Sequence, residues 1–185
     1  MIVYCGVNFL SVTSTTTPTK EEAIMAERAI ALVAQIEQAV AEFNGALAGL
    51  SEEQWGILRP NEARSVGVVA RHVAKGIPFE MACFREIAAG HKPTILTIAN
   101  NTAMNAADAE EWASCTKDET LALLHEYAAA AVAEVRQWDD RQLSRAGKYY
   151  EGGPEDRTVD QWIERTLIGH IHGHLQSIRA ALAST

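Results

Sequence analysis

The sequence predicts an all-α protein, a four-helix bundle preceded by a non-helical N-terminal tail. Three observations carry this expectation. Apolar residues recur at alternating spacings of three and four in four separate segments, the period of a helix with one buried face. Capping residues stand at the head of those segments, and alanine abounds inside them while proline is scarce. No stretch shows a convincing strand pattern. With 185 residues, 48% of them hydrophobic and 22% charged, one domain with a single sizeable core is expected. The division is a tail over residues 1–18 and a bundle domain over 19–185.

The tail mixes β-branched and aromatic residues with a Thr/Ser run ending at Pro18, and reads as extended or loose chain. Thr19 and Glu22 form a capping box for a first helix from about Lys20 to Ala46. Its buried stripe is Val33, Ile36, Val40, Phe43 and Leu47. Ser51 and Gln54 cap a short turn carrying Trp55, and Pro60-Asn61 marks a loop. Ser65 is a good N-cap for the second helix, whose stripe is Val66, Val69, Val73, Ile77, Phe84 and Ile87. Pro78 removes the bond back to Ala74 and should kink or break that helix. Gly90 and Pro93 end it. Residues 91–115 form a long connection containing Asn100, Asn101 and Asn105, and ordered connections of that length are often functional. Thr116 and Glu119 cap a third helix, about Asp118 to Trp138, which buries Leu121, Leu124, Ala128, Val132 and Val135. A polar loop, Gly147 to Pro154, carries Tyr149 and Tyr150. The fourth helix opens with the capping box of Thr158 and Gln161 and runs to Leu182.

Composition narrows the function. A net charge of −8 argues against a nucleic-acid backbone or an anionic membrane surface as partner. No apolar run approaches the roughly 20 residues of a membrane span, and the N-terminus lacks the basic region of a signal peptide. Three widely spaced cysteines without a CxxC suggest neither a disulfide framework nor a thiolate zinc site, which fits a reducing cytoplasm. No P-loop, Rossmann fingerprint or nucleophile elbow is present.

The chemistry concentrates in the fourth helix, where three of the six histidines fall at His170, His172 and His174. At about 100° per residue, His170 and His174 stand one turn apart within or beside the apolar stripe, whereas His172 lies about 160° from either. An i, i+4 imidazole pair on a helix is a way to hold a transition metal, although such pairs also serve as core-edge histidines. In a bundle, His72 on the second helix can face the pair and complete an open three-nitrogen site. Neutral ligands leave the ion its full charge, which acidifies a bound water or thiol. His125 has no histidine at helical spacing and reads as a surface or core-edge residue. Glu80, two turns after His72, is the best-placed carboxylate, although a solvated side chain is its expected state. Gly169 and Gly173 flank the histidines and call for a reason: close approach of a neighbouring helix, or room around a metal.

Three stretches resemble the DinB/YfiT-like metal-binding four-helix bundles: S-E-E-Q-W-G-I-L-R-P at 51–60, S-V-G-V-V-A-R-H-V at 65–73 and L-I-G-H-I-H-G-H-L-Q-S-I at 167–178. The resemblance runs from about Lys20 to Leu182. It implies that His72, His170 and His174 bind a divalent metal, zinc first, with nickel, iron or manganese as alternatives. Arg64 stands where the family often has a tryptophan. Members with assigned roles resemble thiol S-transferases and isomerases, so the resemblance implies a metal-dependent enzyme acting on a low-molecular-weight thiol, by transfer or hydrolysis, and a homodimer. The rival expectations are a non-catalytic metal-binding or stress-response bundle, and a helical interaction module with no metal.

Overall fold

The computed structural model describes residues 20–58, 64–94, 106–150, 153 and 155–184, with side chains from residue 27 onward. The tail expected over 1–18, the Thr19 cap, the Pro60-Asn61 loop and the three asparagines of the long connection lie outside the described residues.

Four long helical segments form the bundle: α1 (Lys20–Ala48), α3 (Val66–Ala89), α5 (Lys117–Val135) and a C-terminal segment. That last segment comprises α7 (Val159–Trp162), a π-helical turn (Ile163–Ile168) and α8 (Gly169–Ala183). Short helices fill the corners: α2 (Glu52–Gly56), α4 (106–111) and α6 (Asp140–Leu143). α1 and α3 both pack on α5 and on the C-terminal segment. Chain order is therefore not neighbour order: α1 and α3, consecutive among the long helices, share α5 and the C-terminal segment as neighbours.

Every stripe residue expected on the first and second helices is buried. On α5, Leu124, Ala128, Val132 and Val135 are buried as expected, but Leu121 is only partly so and Ala131 takes a core place. Ser51 and Gln54 form a reciprocal cap on α2, and Ser65 Oγ accepts from Val68 N at 3.2 Å at the head of α3. Trp55 closes the gap between these two helices. Its Nε1 donates to the Cys115 carbonyl at 2.9 Å, and its ring lies so close to Gly67 that a Cβ there would come within 2.2 Å.

Three expectations need correction. Pro78 does not break α3, which runs continuously past it. An interior proline costs about 3 kcal/mol, but each large apolar side chain buried returns about 1.5–3 kcal/mol. Ile77, Met81 and Phe84 flank the proline and are all buried. The fourth helix is not one regular helix, because the π turn interrupts it. The loop after α6 is not wholly polar or irregular. Ala146–Gly147 (β1) pairs antiparallel with Arg157–Thr158 (β2), and Tyr149 is buried against Phe84 and Trp162.

Among the described residues, no helix is long and apolar enough to cross a membrane.

Candidate metal centre

His72 stands on α3, and His170 and His174 stand one turn apart on α8, which packs against α3. One nitrogen from each ring can be chosen so that all three lie within 4.8 Å of one another. The Nε2 atoms of His72 and His170 are 3.2 Å apart. Two nitrogens bound to one ion at about 2.0–2.1 Å with a tetrahedral angle would be about 3.3 Å apart, so this spacing suits a shared metal. All three rings meet edge to face, with centroids 4.5–5.2 Å apart.

The other histidines differ in kind. His172 is half exposed, 3.9 Å from Glu42, and faces away as its helical angle predicts. His125 is exposed with its Nε2 3.0 Å from Asn44 Oδ1, the surface role expected for it. His91 is exposed beside Glu86.

Two carboxylates back the rings. Glu80 Oε1 lies 3.0 Å from His170 Nδ1, and Asp108 Oδ2 lies 3.8 Å from His72 Nδ1. Glu80 is 7% exposed, so the expectation of a solvated glutamate does not hold. Burial pushes its carboxyl up from the ordinary range, against the hydrogen bond and charge of His170. Burial, and then the Glu111 carboxylate, raises Asp108, while Arg64 and Lys75 pull it down. The Tyr149 phenol is pushed up by burial and by Glu80, which keeps it protonated. Burial, with Glu80 as a second cause, lifts the Cys83 thiol to about 12 and makes it inert at neutral pH.

A cavity of about 730 Å³ adjoins the three imidazoles, within the size range of small-molecule sites. Phe79, Trp112 and Tyr149 give it apolar walls, and Arg64, Lys75 and Arg165 bring positive charge to its lining. The sequence flags the long connection as of a length that is often functional, and singles out only its three asparagines. The structure places Asp108, Glu111 and Trp112 from that connection in the cavity wall. Arg165 and Thr166 were also missed, because they enter the wall through the π turn, for which the sequence carries no period.

The glycines divide differently from expectation. Nothing lies within 4 Å of a Cβ built at Gly173, and at Gly169 the nearest atom is the Glu164 carbonyl at 3.4 Å, so neither marks the close approach of another helix. At the histidines the close approach is at Gly76 on α3, where a Cβ would come 3.2 Å from His170 Cε1.

A family model described as mycothiol-S-transferase matches residues 31–183. No curated protein and no solved structure matches the chain.

Proposed function

The chain belongs to the mycothiol-S-transferase family, a branch of the DinB-like bundles, and we propose that it transfers a low-molecular-weight thiol to a small electrophile at a divalent ion held by His72, His170 and His174. Mycothiol is the thiol that the family's name points to. The observation that carries the proposal is the convergence of three imidazoles from two packed helices on one wall of a ligand-sized cavity.

The donor set fits such an ion. The three nitrogens are close enough to share it, and three protein ligands leave a position for a substrate. Zinc is the ion we expect, with nickel or iron, which imidazole also suits, and then manganese as alternatives. When bound, the ion supplies a positive charge that favours the thiolate form of a thiol beside it. The net reaction is RSH + R′X → RSR′ + HX: sulfur forms a bond to the acceptor carbon, and X leaves with the electron pair of the bond that breaks.

The chain's own residues do the rest. Glu80 holds the Nδ1 side of His170, and Asp108 lies near Nδ1 of His72. Phe79 and Trp112 give the cavity its apolar walls. Water in place of the thiol would make the same site hydrolytic. The family resemblance also brings a homodimer into the proposal, which sedimentation of the purified chain tests.

The functional test uses untagged protein with mycothiol and a chromogenic electrophile. The proposal expects thiol-dependent turnover that a chelator abolishes and added zinc restores. Metal binding without turnover for any thiol and acceptor tried would leave the non-catalytic metal-binding bundle.

A further inference from the structure

His72, Gly76 and Glu80 follow one another on α3 at intervals of four, so they form a single ridge of the helix surface. All three meet the same ring of the last helix. His72 Nε2 is 3.2 Å from His170 Nε2. A Cβ at Gly76 would stand 3.2 Å from Cε1 and 3.6 Å from Nδ1 of that ring. Glu80 Oε1 is 3.0 Å from its Nδ1. The imidazole of His170 therefore lies along the ridge, over the place where residue 76 has no side chain.

Glu80 is a poor choice for stability alone. It is 7% exposed, and its Oε2 has no hydrogen-bond partner among the described residues. A buried, half-satisfied carboxylate costs more than an apolar side chain of similar size. Its one strong contact is with His170 Nδ1. In its ionised form Glu80 can only accept, and the contact in that form puts the proton on Nδ1 and leaves the Nε2 lone pair free.

We propose that Gly76 and Glu80 are positioning residues for His170: the gap at Gly76 seats the ring, and Glu80 fixes the tautomer that presents Nε2 beside His72. The inference rests on the metal reading given above, but it makes its own claim about the metal-free protein. The ring is held in its ligating form before any ion arrives. α3 thereby supplies one ligand directly and orients a second.

The test uses the full chain, ¹⁵N-labelled and metal-free at mildly alkaline pH, with long-range ¹H–¹⁵N spectra of the imidazoles and His170→Gln to assign the ring. His170 is expected as the Nδ1–H tautomer in wild type and as a redistributed mixture in Glu80→Leu. Zinc affinity, from competition with a chromophoric chelator, should fall about 10–100-fold in Glu80→Leu. Glu80→Gln keeps an acceptor oxygen and should recover most of that loss. Gly76→Ala should melt no lower than wild type yet bind zinc several-fold more weakly, a split that a purely structural glycine would not give. An Nε2–H tautomer in wild type would overturn the inference, as would affinities of Glu80→Leu and Gly76→Ala within about twofold of wild type. If Glu80→Leu fails to fold, Gly76→Ala and the wild-type tautomer still decide. If wild type binds no zinc, the metal reading falls and the tautomer alone decides this inference.

Discussion

The two helical segments that bring the histidines together handle irregularity in opposite ways. α3 contains Pro78 and stays continuous, whereas the C-terminal segment contains no proline and is interrupted by a π turn. Pro78 itself lies on an exposed position, and its buried neighbours Ile77, Met81 and Phe84 hold the helix on course. In the C-terminal segment the constraint comes from both ends. Trp162 is fixed by its Nε1, which donates to the Gly147 carbonyl at 2.7 Å, and by packing on Tyr149. Eight residues later His170 must face α3. The π turn adjusts the phase between them, with Gly169 N donating back to the Glu164 carbonyl. Thr166 Oγ1 donates to the Trp162 carbonyl at 2.6 Å across the same turn. Helix continuity is thus decided by what the faces touch, more than by which residue looks like a breaker.

The largest expected effect on that contrast is at its anchor. Trp162→Ala removes a buried indole and its hydrogen bond and should cost about 3–5 kcal/mol in urea unfolding. A loss below about 1 kcal/mol would mean that the π turn does not depend on this anchor. On α3 the opposite sign is expected. Pro78→Ala restores an N–H to a helix that already accommodates the ring and should stabilise by about 1 kcal/mol, with about 3 as a ceiling. A destabilised variant would show that Pro78 is part of the packing and not merely tolerated.

The helical stripes and the His170–His174 pair were legible in the sequence because both are repeats of a single helix period, whereas His72 was joined to them by the bundle expectation and the family resemblance. Ile36, Phe43, Val73 and Ile87 are buried where periodicity puts them, and His170 and His174 share a face as their spacing requires. What was illegible depends on partners far away in the chain. Glu80 is an ordinary helix glutamate until His170, 90 positions on, covers it. Pro78 looks like a break until its flanks are seen in the core. Gly169 and Gly173 drew notice in the sequence, but the glycine that lies against a candidate ligand is Gly76, whose neighbour is the His170 ring of another helix. Asp108 and Trp112 come from a connection with no period to read.

Two smaller effects sharpen the contrast further. Gly173→Ala meets open space, so the helix should gain up to about 1 kcal/mol while zinc affinity stays as in wild type. Loss of affinity there would restore the reading of Gly173 as room around the metal. Arg28 ties α1 to the start of the C-terminal segment through Asp160 and to α6 through Asp140. Burial alone would raise the Asp160 carboxyl, but bonds from Thr158, Arg28 and the Gln161 N–H hold it below the ordinary range. A carboxyl lowered on folding contributes stability above its unfolded pKa of about 3.9 and loses it as pH falls through the folded value. Arg28→Ala should therefore cost about 1 kcal/mol or less at neutral pH. The deficit should shrink as both proteins are taken below about pH 4. A deficit that does not change with acid would remove Asp160 from the explanation.

The central claim, that α3 and α8 together build a metal centre, is tested most directly by the metal content of untagged protein, wild type beside His170→Ala. The account predicts about one divalent ion per chain in the wild type and a large loss in the variant, with thermal unfolding of both still cooperative. No ion in wild type, even after addition of zinc or nickel and gel filtration, would contradict it.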